Sequence, residues 1–232
     1  MKILGLIPAR GGSRGIPHKN LARVGGKTLL QRAIESAYHT SLSRVVVSTE
    51  DDVIATYAGN AGTLVIQRPE ELAQDDTPMI EVVRHALDYM DEIDGDYDAV
   101  CLLQPTCPLR SWEDIEAAIE TLGLEHQSCV SVVDVGEHHP RRMYWDSHGR
   151  LVSYSDGDEF ARRQDLPPVY LRDGSIYLTR AETIRSGFML SKHPAYIVTP
   201  RERYCNIDTP HDLIIAEALL KNANLLQPAA VA

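Results

Sequence analysis

"KILGLIPARGGSRGIPHKN" (residues 2–20) sets an apolar run of strand length against a stretch that holds three glycines, two arginines and a lysine. From Ile7 to Asn20 there is no acidic residue, although the 232-residue chain has a formal net charge of -10. A Gly-rich turn after a strand presents backbone N–H groups to an anion, and in open α/β sheets ligands gather beyond the carboxyl ends of the strands. Arg10, Arg14 and Lys19, spaced irregularly along this loop, can each meet different oxygens of a phosphate chain.

Two familiar phosphate loops do not match. A dinucleotide fingerprint needs G-x-G-x-x-G, but Gly11-Gly12-Ser13-Arg14-Gly15 carries serine where the second glycine belongs. Gly26-Lys27-Thr28 supplies the end of a Walker loop, yet position 21 is Leu21. A solvated basic loop on an acidic protein remains the plain alternative at this stage.

Beyond the loop, strand-length apolar runs recur at residues 3–7, 45–47, 64–66, 99–103 and 129–133. Helical stripes lie between them: Leu29, Leu30, Ala33, Ile34 and Ala37, then Ile80, Val83, Leu87 and Met90. Ser111 followed by Asp114 is a capping-box pattern before Ile115, Ile119 and Leu122, and Thr209 with Asp212 repeats it before a final helix. Strand and helix in alternation predict right-handed βαβ units, a mostly parallel sheet and a three-layer α/β fold in one domain over residues 1–232. Residues 136–172 break the rhythm with "EHHPRRMYWDSHGR" and "ARRQDLPPVYLRDG", which predicts a small β-rich insert serving as lid or subunit contact. The chain is expected to re-enter the sheet at Ser175 and to fray over its last five residues.

Composition narrows the function classes. With 44% hydrophobic and 24% charged residues the chain reads as an ordinary globular protein, and its acidity excludes broad nucleic-acid binding. Cys101, Cys107, Cys129 and Cys205 form no CxxC pair and no zinc-like spacing with histidine, so they are expected to be reduced, structural thiols. His138 and His139 are adjacent, their side chains diverge, and paired zinc ligation is not expected. There is neither a signal-peptide pattern nor a membrane-length apolar run, which gives the expectation of a cytoplasmic protein without a membrane partner.

"IPARGGSRGIPHKNL", "RPEELAQDDTPM", "LLQPTCPLR", "RRQDLPPVYLRDGSIYL" and "NIDTPHDL" occur in this order. Together they closely resemble the acylneuraminate cytidylyltransferase family, enzymes similar to CMP-sialic acid synthetase, over nearly the whole chain. The resemblance implies a Rossmann-like domain of the nucleotide-diphospho-sugar transferase type, with the insert building a homodimer. It also implies a reaction: CTP is joined to the anomeric hydroxyl of an acidic 3-deoxy-2-ulosonic sugar, with Mg²⁺ and release of pyrophosphate.

Residue by residue, the resemblance makes Arg10, Gly11, Gly12, Ser13, Arg14, Lys19 and Asn20 the triphosphate cradle and places Arg68 by the nucleotide. Gln104, at a strand end, would lie between nucleotide and sugar. Arg163 would meet the sugar carboxylate, Asp173 and Tyr177 would line the sugar pocket, and Arg142 would reach the neighbouring subunit's site. Tyr170, Phe188 and Met189 join Asp173 as residues expected to choose among sugars. Arg10, Lys19, Gln104 and Asp208 are the expected catalytic set. Cys107 stands where relatives often carry serine and reads as a packing swap.

The family's sialic acid enzymes typically show D-x-D in the last motif, whereas this chain reads Asn206-Ile207-Asp208. Mg²⁺ would therefore be held by Asp208 with the neutral oxygen of Asn206. The alternatives left open are use of GTP or another acceptor on the same fold, and a non-catalytic nucleotide-binding protein.

Overall fold

The N-terminal apolar run forms β1 (Ile3–Pro8), buried along its whole length, in a computed structural model that describes residues 1–157 and 160–222. A two-residue hairpin, β2 (Arg23–Val24) and β3 (Lys27–Thr28), turns at Gly25 and Gly26, both with positive φ. Such a turn favours glycine, which has no Cβ to clash there. Next come α1 (Leu29–Tyr38), β4 (Arg44–Thr49), α2 (Asp52–Asn60), β5 (Leu64–Gln67), α3 (Met79–Asp94), β6 (Ala99–Leu103), α4 (Trp112–Leu122) and β7 (Ser128–Asp134). The insert contributes β8 (Tyr144–Ser147) and β9 (Arg150–Ser153). The chain closes with β10 (Tyr170–Arg180), α5 (Ala181–Arg185), β11 (Ala195–Val198) and α6 (Pro210–Lys221).

The main sheet has seven strands in the order β11-β7-β10-β6-β1-β4-β5. All its pairings are parallel except those of β10, which runs antiparallel to both β6 and β7. Strand order reverses beside β1: the chain leaves toward β4 and β5 and then returns to β6 on the other side. That reversal opens a crevice at the carboxyl ends of β1 and β6.

Side chains of β1 divide between the two faces. Ile3 and Ile7 pack with α1, α2 and α4, while Leu4 and Leu6 pack with α3 and α5. Leu4, Leu6 and Ile7 are fully buried. Truncating one of them to alanine would cost about 2–5 kcal/mol. A third, smaller cluster of Ile16, Val24, Leu29, Cys205, Ile207 and Ala216 pins the Gly-rich loop to the segment before α6. Both expected capping boxes are present, Ser111 with Asp114 and Thr209 with Asp212.

Several boundaries differ from the sequence reading. β10 enters the sheet at Tyr170 rather than Ser175, because Tyr170 to Arg172 pair with Asp134 to Val132 before a register shift ahead of Tyr177. These residues are exposed at the strand's projecting end, so no apolar alternation betrays them. The insert holds one short hairpin, β8–β9, and three-residue 3-10 turns. The helix α2, started by the Asp51 side chain accepting from the Ile54 N–H, and the edge strand β11 were not anticipated. The last five residues lie outside the described part of the chain.

Asp173, expected to line the sugar pocket, is 4% exposed and lies within β10. Oδ1 accepts from the Ser131 hydroxyl and from the Ser175 N–H at 2.8 Å, and Oδ2 accepts from the Thr199 hydroxyl at 2.6 Å. Gly174, at φ 82°, lies within the register shift of β10 between Arg172 and Tyr177.

Candidate active site

A cavity of about 430 Å³ opens where β1 and β6 end. Beyond Pro8 the chain is held to β4 through the Ala9 N–H, which donates to the Ser48 carbonyl at 2.9 Å. Two residues on, the Gly11 N–H donates to Glu50 Oε1 at 2.7 Å, and a Cβ at Gly11 would collide with Asp51. Asn20, 6% exposed, donates to the Arg10 carbonyl at 2.9 Å and closes the loop on itself. The loop is therefore shaped by named contacts, which fixes Arg10, Ser13, Arg14, Lys19 and Asn20 around the cavity.

The opposite wall is the segment before α6. Lys19 Nζ donates to the Ile207 carbonyl at 2.9 Å and pairs with Asp208 Oδ1 at 3.0 Å. Asn206 Nδ2 donates to Asp208 Oδ2 at 2.8 Å, which leaves the Asn206 amide oxygen as an acceptor. Asp212 Oδ2 accepts from the backbone N–H groups of Asp208 (3.0 Å) and Thr209 (2.7 Å), holding its own carboxyl below the usual range. Gly15 lies so close to the Asp208 carbonyl that any Cβ there would overlap it. Loop and last segment thus fit only with glycine at that position.

Arg68 lines the cavity floor. It is 4% exposed and donates to the Ser48 hydroxyl at 3.1 Å and the Ser48 carbonyl at 2.6 Å. Burial lowers its pKa to about 10; Glu50 opposes that and Arg10 adds to it. Gln104 follows β6 and lines the same cavity. Its backbone carbonyl accepts from Arg110 Nη1 at 3.1 Å, and the same nitrogen donates to the Ser175 carbonyl at 2.8 Å. Arg110, 8% exposed, therefore bolts the end of β6 to β10. It sits in the "LLQPTCPLR" stretch, but its burial could not be read from that pattern.

Asp75 was also missed. It lies in the cavity, with Oδ1 2.8 Å from Arg10 Nη2 and Oδ2 paired with Arg14 Nε. Hydrogen bonding from Arg14, with Arg10 beside it, holds the Asp75 carboxyl below the usual range.

Not every expected residue converges. Gly11 and Gly12 support the loop without lining the cavity. Arg163 lines a separate depression of about 290 Å³, with Asp134, Gly136 and His139. Arg142 is exposed on the insert and donates to the Ala161 carbonyl at 3.2 Å. Tyr177 packs against the core cluster of Leu4 and Leu6, where burial raises its pKa, and Met189 packs against the same cluster. Phe188 and Tyr170 are exposed. His138 and His139 join no metal-binding group: among the described residues no three histidines, cysteines or acids converge. All four cysteines are free and buried, and burial pushes the Cys107 thiol up to about 12, as expected of a packing residue. None of the described helices is long and apolar enough to cross a membrane.

Of the two acids in the last motif, Asp208 lines the cavity, its side chain 65% exposed beside the neutral amide oxygen of Asn206, whereas Asp212 caps α6. One carboxylate with water and ligand oxygens is a donor set that suits a hard cation such as Mg²⁺.

Residues 4–220 match the model of a family described as cytidylyltransferase. The chain is 31% identical over 226 residues to a pseudaminic acid cytidylyltransferase of Campylobacter jejuni, covering 95% of this chain and 97% of the relative. It is 33% identical over 225 residues to a CMP-N,N'-diacetyllegionaminic acid synthase of Legionella pneumophila, covering 95% and 97%. Among solved structures, a CMP:2-keto-3-deoxy-manno-octonic acid synthetase complexed with CTP superimposes with a TM-score of 0.70. It is 17% identical and covers 96% of this chain and 99% of that one, which is a likeness of fold.

Proposed function

The chain belongs to the cytidylyltransferase family, and from that premise we propose that it couples CTP to the anomeric hydroxyl of an acidic 3-deoxy-2-ulosonic sugar. The products are a CMP-sugar and pyrophosphate. The observation that carries this reading is the meeting of Arg10, Lys19, Gln104 and Asp208 around one cavity, from three stretches of the sequence, in a chain matching that family over residues 4–220. The sugar class rests on relatives named for pseudaminic and N,N'-diacetyllegionaminic acid.

In this reading the sugar oxygen forms a bond to the α-phosphorus and the bond from that phosphorus to the β-phosphate oxygen breaks. The sugar's hydroxyl proton is released, and charge grows on the departing pyrophosphate. Arg10, Arg14 and Lys19 stabilise that charge, Lys19 being already restrained by the Ile207 carbonyl and Asp208. Gln104, rigid because Arg110 grips its backbone, lies at the junction of nucleotide and sugar. Asp208, with Asn206, would hold Mg²⁺, which supplies charge neutralisation at the phosphates when bound.

Arg163 and Arg142 stand outside the cavity of one chain. We assign them to the sugar side in a homodimer, where Arg163 would pair its forked guanidinium with the sugar carboxylate. Exposed Trp145 (53%), Leu151 (75%) and Tyr154 (66%) on and beside the β8–β9 hairpin support an interface there. Use of CTP fits a cytoplasmic site of action.

The test is pyrophosphate release with Mg²⁺, CTP or GTP, and a panel of 3-deoxy-2-ulosonic acids. Release with CTP and one sugar is the expected result. Release only with GTP would move the reading to a different nucleotide on the same fold. Silence across the panel with CTP bound would favour a non-catalytic protein.

A further inference from the structure

Two cations of the Gly-rich loop are not free to meet a ligand. Arg10 Nη2 and Arg14 Nε take the two oxygens of a single carboxylate, that of Asp75. The Arg14 side chain is 81% exposed, so packing does not hold it in place. Asp75 comes from a built turn: residues 70–72 form a 3-10 turn, Gln74 Nε2 donates to the Glu70 carbonyl at 2.7 Å, and the Thr77 hydroxyl donates to the Glu71 carbonyl at 3.2 Å. The same segment begins at Arg68 on the cavity floor. It thus carries a cation that would attract phosphate and, seven positions on, an anion that would repel it.

We propose that Asp75 is an internal stand-in for phosphate, which closes the cradle when no nucleotide is bound and is displaced by the polyphosphate of the substrate. The inference rests on the reading of this loop as a triphosphate cradle. Displacement exchanges ion pairs without any covalent step: each guanidinium gives up a carboxylate oxygen and takes a phosphate oxygen. Freed Asp75 then faces like charge and its turn moves away from the loop. A ligand must bring enough consecutive phosphates to satisfy both arginines at once. A cytidine monophosphate, the CMP-sugar product among them, has a single phosphate that cannot replace both pairs and leaves Asp75 in place. The closed cradle therefore weakens the binding of CTP and tripolyphosphate but not of CMP.

The test is calorimetric titration of the full chain with inorganic tripolyphosphate, CTP and CMP. It compares the wild type with Asp75→Asn, Asp75→Glu and, as a neighbouring-charge control, Asp76→Asn. Asp75→Asn is expected to bind tripolyphosphate and CTP about fivefold more tightly, the scale of exposed ion pairs, with CMP changed by less than about twofold. Asp75→Glu and Asp76→Asn are expected to stay within about twofold of the wild type. Binding by the wild type with no gain in Asp75→Asn would overturn the displacement alone. An equal gain for CMP, or the same gain in Asp76→Asn, would reduce the effect to bulk charge and overturn it too. Failure of every form to bind polyphosphate would remove the cradle reading and the stand-in with it.

Discussion

Lys19 Nζ and Asp208 Oδ1 stand 3.0 Å apart although 189 positions separate them in the chain. Lys19 is thereby held between the carboxylate proposed for the metal and the cavity proposed for the phosphates, its side chain only 17% exposed. A lysine restrained in this way meets developing charge without first having to be ordered.

Lys19→Ala is expected to lower turnover by about 10²- to 10³-fold, the range for removing one preorganised stabilising donor. Its thermal melting and sedimentation should stay those of the wild type, since Lys19 belongs to no core cluster. Near-normal pyrophosphate release in this variant would contradict its role.

Asn206→Asp replaces a neutral amide, now donating to Asp208 at 2.8 Å, with a second carboxylate. Without a cation the two acids repel, so the ligand-free variant should melt at lower temperature. With CTP present it should bind Mn²⁺, a spectroscopic substitute for Mg²⁺, more tightly. Electron paramagnetic resonance titration of free Mn²⁺ reads that directly, and unchanged affinity would place the cation elsewhere.

Asp173→Ala strips the acceptor from the Ser131 and Thr199 hydroxyls and from the Ser175 N–H, all buried. The expected loss is about 3 kcal/mol of stability by urea denaturation, with a smaller loss for Asp173→Asn. The KM for sugar in Asp173→Asn should remain that of the wild type. A selective rise in that KM would return Asp173 to the sugar pocket.

Asp212 gives a pH dependence whose sign is fixed. Its carboxyl is held low in the folded protein, first by the N–H groups of Asp208 and Thr209. The unfolded chain therefore binds this proton more readily, and the stabilisation is complete above the unfolded value of about 4. It is lost as pH falls through the folded value. Melting temperatures recorded from pH 6 downward should show Asp212→Asn less stable than the wild type near pH 6, with the gap narrowing under acid. A constant gap would show that hydrogen-bond geometry, not charge, is what Asp212 supplies.

The strands β1, β4, β6 and β7 were legible because each is an apolar run buried on both faces, β5 because its apolar run is short and unbroken, and α1, α3, α4 and α6 because their stripes and caps are local signals. α2 and β11 were less so. α2 buries only Ile54 and Ala58, and β11 alternates partly buried with exposed residues at the sheet edge. In the site, Arg10, Lys19, Gln104 and Asp208 were marked by the order of the motifs, and the structure brings them together. Asp75 and Arg110 were not singled out, since their meaning lies in partners 61 to 65 positions away. Asp173 was singled out by the resemblance, while its burial rests on Ser131 and Thr199, distant in the chain, and on the register shift in β10, which no local pattern announces.

The small cluster joining Ile16, Val24 and Leu29 to Cys205, Ile207 and Ala216 has a consequence for the order of events during synthesis. The Gly-rich loop emerges from the ribosome well before the surface it rests on, since 189 positions separate Lys19 from Asp208. Until Ile207 and Asp208 arrive, Lys19 lacks the carbonyl and carboxylate that restrain it. A nascent or truncated chain ending before Cys205 could form the central strands and still carry a shapeless cradle. The loop can take its final shape only after the segment from Cys205 to Asp208 has been made.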